Sequence, residues 1–217
     1  MPDSVVFLSG KEELILALGE PYVSFAPPAE VTMVREGWLS SLTSFSTQLK
    51  NLTASHTCSV LLGSNDTQGY FGEQIKTYFP QLTHALLRSD RMGFQACCGM
   101  LAGLGDGSTP TGDDLIHGAL IALHYYRRSK NCKYRAMPYP EDIKQRTTPL
   151  GAHMLEMGQR GLTPEPVRDY VLSLLRGRPC NQALQKLSRM GGSTGHNIAV
   201  GAFLMLAKLC GQHNGTQ

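Results

Sequence analysis

The spacing of the hydrophobic residues changes at about Gln81, and this change constrains the fold more than any other feature. From Gln81 onward, apolar residues recur at intervals of three and four, as they do along the buried face of a helix. The predicted helices span about 81–103, 113–128, 147–159, 165–176, 180–189 and 196–209. We therefore expect the rest of the chain, residues 81–217, to be a helical domain.

The residues before 81 show a different pattern. Short runs rich in β-branched and aromatic residues, interrupted by glycine and proline, predict strands at 5–8, 22–25, 31–34 and 58–62. A single helix is predicted at about 36–49. The sequence therefore predicts an α+β protein, in which residues 1–80 form a small, mixed β/α N-terminal lobe beside a predominantly α-helical C-terminal body.

The overall charge gives no reason to expect a nucleic-acid partner. Twenty basic and 17 acidic residues leave a formal net charge of +3, spread along the chain. One basic cluster, at 127–135, follows an apolar helix segment. Cations are favourable at the C-terminus of a helix, so we interpret this cluster as a solvated helix end, with phosphate or partner recognition as the alternative.

The cysteines and the apolar segments favour a cytoplasmic protein. Six cysteines occur without a Cys-x-x-Cys pair, which is typical of reduced thiols rather than of disulfides or a zinc site. The N-terminus lacks the basic and apolar regions of a signal peptide. No segment approaches the roughly 20 apolar residues of a membrane span, so we expect no membrane association.

A glycine-rich loop leads directly into the predicted helix at 113–128. The segment 103–114 reads GLGDGSTPTGDD. Its glycines permit positive φ angles, its threonines can cap a helix, and free amides at a helix start attract anions. However, Asp113 and Asp114 already supply negative charge there and would repel a bare phosphate. A divalent cation held by the two aspartates, a metal-bridged phosphate, or a substrate amine or amide fits better.

A second segment repeats this chemistry in altered form. Gly195 and Gly201 match Gly112 and Gly118 in spacing, and Gly-Ser-Thr precedes both segments. Glycine inside a helix costs about 1 kcal/mol relative to alanine, so we expect two helices to cross closely at Gly118 and Gly201. Such a crossing would unite both helix starts in one composite pocket. The pattern is neither a P-loop nor a Rossmann fingerprint.

The two helix starts supply the candidate site residues. Asp113, Asp114 and His117 are the predicted catalytic residues, and Asp113 and Asp114 are also the candidate metal ligands. The alternative is that each start is only a helix cap and a tight turn. The residues predicted to bind substrate are Gly105, Gly107, Ser108, Thr109, Thr111, Gly112, Ser193, Thr194, Gly195, His196 and Asn197.

The two motifs together resemble an uncharacterised bacterial family that includes the AllH-type subunit of oxamate carbamoyltransferase, from allantoin breakdown. The resemblance rests on the loop at 103–114, on TTPLGAHMLEMGQRG at 147–161, and on the second helix start at 191–201. It extends over about residues 93–209. Ser108 occupies a position where the family usually has leucine, and residues before 93 are not recognisable.

This resemblance implies a subunit or relative of a carbamoyltransferase in purine-derived nitrogen catabolism. It would bind a small anionic carbamoyl-type molecule at the paired helix N-termini, and its partners would be other enzyme subunits or further copies of this chain. Two alternatives remain open. The chain could be a non-catalytic partner subunit, or a metal-assisted hydrolase or ligase that uses Asp113 and Asp114.

Overall fold

The computed structural model describes residues 4–9, 12–17, 31, 33, 38–64, 69–132 and 135–211. A hairpin of β1 (Ser4–Ser9) and β2 (Glu12–Ala17) comes first. It is followed by α1 (Trp38–Thr53), a 3-10 helix (Thr57–Leu62), α2 (Gly69–Arg88), α3 (Arg91–Leu101) and α4 (Thr111–Ser129). The last elements are α5 (Ile143–Arg146), α6 (Pro149–Gln159), α7 (Glu165–Leu175), α8 (Asn181–Ser188) and α9 (Thr194–Gly211).

The predicted α+β class is wrong, because the described body is all-helical. The two described strands pair with each other in an antiparallel hairpin, in which Ser4 lies opposite Ala17. A two-stranded hairpin is too small to form the core of a β-containing lobe. The strand pattern at 5–8 therefore indicated a local hairpin and not a second structural layer.

The strand predicted at 58–62 is also wrong. These residues lie in the 3-10 helix, which ends at Gly63 with a φ of 88°. Val60 and Leu62 are buried, so the apolar run does enter the core, and periodicity cannot distinguish so short a run from a strand. The run at 22–25 lies outside the described residues. Within 31–34, Val31 and Met33 are described, and neither is in a strand.

The single helix predicted at 81–103 is two helices. Ser89 has a φ of 56° and ends α2, and Asp90 then caps α3 by accepting a hydrogen bond from the Gly93 amide at 3.0 Å. Apolar residues continue at helical spacing on both sides of this turn, so the period alone did not show it. Because α2 begins at Gly69, it passes through the proposed boundary at residue 80, and the division into two domains stays a prediction.

The remaining helix predictions are confirmed, with bounds shifted by a few residues. The first predicted helix corresponds to α1, and the last five correspond to α4, α6, α7, α8 and α9. Every residue from 111 to 123 is buried, so α4 is enclosed on all sides and forms the centre of the helical body. No helix in the described ranges is both long enough and apolar enough to cross a membrane.

Helices α4 and α9 touch backbone to backbone where glycines face each other. A Cβ atom at Gly118 would overlap the Ile198 carbonyl oxygen and lie 2.9 Å from the Ala202 nitrogen. A Cβ atom at Gly201 would overlap the Leu115 carbonyl oxygen. The close crossing expected from the sequence is therefore confirmed, and it fixes how the starts of these two helices lie relative to each other.

We expect Gly118→Ala to lower the free energy of unfolding by about 1–3 kcal/mol, because the added methyl group would push the α9 backbone away. Gly99→Ala in α3 is the matched control, since the nearest atoms to its methyl group belong to the Arg146 guanidinium at 4.0 Å. Urea unfolding followed by circular dichroism measures both variants. Equal stability of the two variants would contradict the close crossing.

Candidate functional site

The two glycine-rich helix starts lie side by side. The Thr109 and Thr194 hydroxyl oxygens are 2.6 Å apart and share a hydrogen bond. Asn197 Nδ2 donates to Asp114 Oδ2 at 3.3 Å and contacts Thr111 Oγ1 at 3.4 Å. These contacts join α4 to α9 at their N-terminal ends. We use the term composite site for the residues of the two starts, 103–114 and 191–197.

The local geometry of the two starts is the same. A Cβ atom at Gly112 would overlap the Leu101 carbonyl oxygen at the end of α3, and one at Gly195 would overlap the Leu187 carbonyl oxygen near the end of α8. In both places a helix starts against the last turn of the helix before it. Glycine is required at these two positions because no side chain fits there.

The amides of these two glycines are already used within the fold. Gly112 N donates to Leu104 O at 2.9 Å, and Gly195 N donates to Met190 O at 3.0 Å. Both amides therefore have partners in the structure as it stands. Anion binding at this site would have to use amides of the loops that precede the two glycines.

Asp113 holds three segments together. Its Oδ1 accepts a hydrogen bond from the Gly103 amide at 3.0 Å, and its Oδ2 accepts one from the Thr147 hydroxyl, just before α6. The side chain is fully buried, and this burial raises the pKa of the carboxyl group above its usual value, while the two hydrogen bonds lower it. Both oxygens are therefore engaged by the protein itself, which is the behaviour of a residue that positions the loop.

Asp114 has a different environment. Burial, together with the neighbouring charge of Asp113, raises the pKa of its carboxyl group to about 8, although hydrogen bonds from Asn197, Thr109 and Thr194 oppose the rise. The group is therefore mainly protonated and neutral at pH 7. Its Oδ1 is buried and has no hydrogen-bond partner. A neutral carboxyl group of this kind can donate a hydrogen bond as well as accept one.

Two buried atoms of the second helix start also have no hydrogen-bond partner. They are Asn197 Oδ1 and His196 Nδ1. The His196 ring stacks on the His56 ring with the ring centres 4.1 Å apart. Burial, and then the neighbouring His56, lower the pKa of His196. Buried polar atoms without partners are uncommon in folded proteins, so this cluster is the part of the composite site best suited to receive a ligand.

Sequence reasoning missed His56. It immediately precedes the 3-10 helix, between the helix predicted at 36–49 and the strand predicted at 58–62, and no local signal connects it with the second helix start. Only the packing of the 3-10 helix against α9 brings its ring to His196. A lone histidine in an unassigned segment gives no indication of such a contact.

The ring of His117 is bonded to α6 and to residue 163, and not to the unpartnered atoms. Its Nδ1 donates to the Met154 carbonyl at 2.8 Å, and its Nε2 accepts from the Thr163 hydroxyl at 2.9 Å. Burial lowers its pKa to about 4, so the ring is neutral. Both ring nitrogens are thus used to join α4 to α6 and to residue 163. The predicted role of His117 in catalysis has no support in this geometry.

The predicted substrate-binding residues of the loops are less buried than Asp114 and Asn197. Gly105 and Gly107 have φ angles of 113° and 99°, which confirms the expected use of glycine at positive φ. Gly107 and Ser108 are exposed, and Ser193 is half-buried. The Ser108 carbonyl accepts a hydrogen bond from Thr148 at 2.5 Å, which fastens this loop to the start of α6.

The acidic pair is a poor fit to a metal ion. Across the described ranges, no group of three or more histidine, cysteine or acidic side chains is arranged to hold one. Asp113 already accepts two hydrogen bonds from the protein, and Asp114 is mainly protonated at pH 7. Metal ligation by Asp113 and Asp114 stays a prediction that this arrangement does not favour.

The fold and the site together define a helical protein with two adjoining helix N-termini, one of which carries a buried acidic pair. Residues 101–206 match the family model described as oxamate carbamoyltransferase subunit AllH. This match confirms the resemblance to the AllH-type family, and it includes both helix starts and the whole of α6. No curated protein and no solved structure matches the chain.

The stability of the protein should depend on pH through Asp114. Because its pKa rises from 3.8 in the unfolded chain to about 8 in the folded protein, its contribution to stability is full below about pH 4 and is lost as the pH approaches about 8. Asp114→Asn cannot ionise. The stability of this variant relative to wild type should therefore increase across that range, by at most about 1.4 kcal/mol per pH unit.

Chemical unfolding at a series of pH values measures this difference. Asp106→Asn is the control, because it removes an exposed carboxylate from the same loop. Its stability should follow that of the wild type across the range. Parallel stability curves for wild type and Asp114→Asn would show that burial does not control the Asp114 proton.

Proposed function

We propose that this protein is a subunit of an oxamate carbamoyltransferase-type enzyme of purine-derived nitrogen catabolism, and that its composite site binds an anionic carbamoyl-type small molecule. The proposal rests on one observation above all. The segment that matches the AllH family model brings together a neutral, buried Asp114 and an unpartnered Asn197 oxygen beneath two glycine-rich loops.

The buried atoms have the hydrogen-bonding pattern of a carbamoyl group. A carbamoyl group offers N–H donors and a carbonyl acceptor. Asn197 Oδ1 can accept from the N–H group, and the protonated Asp114 carboxyl can donate to the carbonyl oxygen. An ionised carboxylate could only accept, so the raised pKa of Asp114 is what makes this pairing available.

The anionic part of the molecule would lie against the loops. The backbone amides of 105–108 and 192–193 come just before the first residues of α4 and α9, where the helix dipoles favour negative charge. Asp114 does not oppose this charge while it carries its proton. The neutral state of Asp114 thus removes much of the repulsion that the sequence suggested for an anion at this helix start.

Entry of a ligand requires the two starts to separate slightly. Asp114 and Asn197 have at most 1% of their surface exposed, and the hydrogen bond between Thr109 and Thr194 joins the loops above them. Binding would replace the threonine contact with contacts to the ligand. Opening of this kind is common in sites that exclude water during group transfer.

Within this proposal His196 is the acid–base group. Its Nδ1 is buried without a partner and its pKa is lowered, so the neutral ring can accept a proton from the nitrogen that takes part in carbamoyl transfer. Asp113 and His117 position the loop and the helix, because all of their polar side-chain atoms bond to the protein.

The enclosure of the site also favours a second candidate function. A chain whose polar site atoms are fully buried can serve as a non-catalytic partner that presents its glycine-rich loops to a catalytic subunit. In that case the contacts among Thr109, Thr194, Asp114 and Asn197 would hold the loops in shape for docking. The two candidates differ in whether the chain itself binds the small molecule.

The test is calorimetric titration of oxamate and of carbamoyl phosphate into the purified chain, and into the complex with its copurifying subunits. We expect saturable binding that weakens by about tenfold or more in Asn197→Leu, which keeps the branched side-chain shape but removes the acceptor. Asp114→Asn should retain binding, because its amide N–H can donate in place of the carboxyl proton. Asp114→Leu should lose it, and should abolish carbamoyl transfer by the complex.

Asp106→Asn is again the control and should bind as the wild type does. Melting temperatures of all variants separate loss of binding from loss of fold. If Asn197→Leu binds both ligands as tightly as wild type, the proposed site is wrong. Binding by the complex that is unaffected by Asn197→Leu, with none by the isolated chain, would establish the partner function instead.

A further inference from the structure

A second candidate site lies at the opposite end of α4 from the composite site. There a cavity of about 300 Å³ opens between the end of α2, the start of α3, the last turns of α4 and the connection that follows α4. Arg91, Arg127 and Arg135 line it. Its volume is at the lower end of the range for pockets that bind small molecules.

The charge of this cavity is entirely positive. None of the side chains that line it is acidic. Asp90, which lies between Ser89 and Arg91 in the sequence, is turned toward its own helix and accepts from the Gly93 amide. Arg91 and Arg135 are exposed, and neither forms an ion pair with any residue in the described ranges. Positive charge is therefore concentrated in a concave place where a ligand can reach it.

The other walls of the cavity are largely apolar. Leu86 and Leu123 line it and are almost fully buried. Ser89 lines it as well, with a φ of 56°, a backbone conformation that serine rarely adopts. The turn at Ser89 leads from α2 into α3, so that Arg91 lines the same cavity as Arg127 and Arg135. Residues held in rare conformations are frequent at ligand sites.

The sequence singled out part of this cluster, and the helix-end interpretation accounts for only part of it. Arg127 lies in the last turn of α4, where its charge favours the helix dipole. That effect does not involve Arg135, which lies beyond the helix, or Arg91, which opens another one. What the three arginines share is the cavity.

We propose that this cavity binds a small ligand that carries a phosphoryl group. A phosphoryl dianion has two negative charges and three oxygens directed outward, and arginine guanidinium groups on separate elements can each offer it paired N–H donors. The apolar wall accommodates the remainder of a small phosphorylated molecule. This inference is independent of the composite site and of the function proposed for it.

Calorimetric titration of inorganic phosphate and of pyrophosphate into the full chain tests the proposal, with malonate as a carboxylate probe at the same ionic strength. We expect saturable binding of a phosphoryl probe, tighter than that of malonate. The double variant Arg91→Gln, Arg135→Gln should weaken it by about tenfold or more. Phosphate should also shift the arginine Nε–Hε resonances that this double variant removes.

The matched control is the double variant Arg160→Gln, Arg178→Gln, which removes the same charge from exposed arginines that do not line the cavity. Its affinity should stay within about twofold of wild type. Equal weakening in both arginine double variants would indicate unspecific charge attraction and overturn the proposal. Tighter binding of malonate, or no saturable binding of either phosphoryl probe, would also overturn it.

Discussion

The contact between the backbones of α4 and α9 is the constraint on which the rest of this structure depends. Gly118 meets the Ile198 carbonyl, and Gly201 meets the Leu115 carbonyl. Leu115 and Ile198 occupy the same position in the two repeated segments. The contact is therefore reciprocal, as it would be around a two-fold axis. Each helix start is placed relative to the other because the two helices cannot separate or slide without losing this contact.

The two helix starts share their backbone packing, but their polar side chains differ. Gly112 and Gly195 pack against the preceding helix in the same way, but Asp113 corresponds to His196 and Asp114 to Asn197. The divergence places a carboxyl group opposite an amide where the two helices meet. Two facing carboxylates at these positions would repel each other in a buried place, whereas Asn197 can donate to Asp114.

The two neighbouring aspartates have different roles because their buried environments differ. Asp113 has donors for both of its oxygens and holds the loop, the central helix and the start of α6 in one arrangement. Asp114 accepts hydrogen bonds on one oxygen only and leaves the other without a partner, while burial and the neighbouring Asp113 raise its pKa to about 8. The sequence shows two adjacent acidic residues at a helix start. They differ because the fold brings different partners to each of them.

The sequence by itself determined the helical body, the two glycine-rich helix starts, their close approach and the family resemblance. These features are local, since helical spacing, capping residues and glycines at fixed positions act over a few residues. The tertiary structure decided that the run at 58–62 forms a 3-10 helix, that His56 stacks on His196, and that His117 is fully bonded within the core. Each of these depends on contacts between residues far apart in the chain. Charge state, hydrogen-bond partners and cavities follow from such contacts, which no short stretch of sequence specifies.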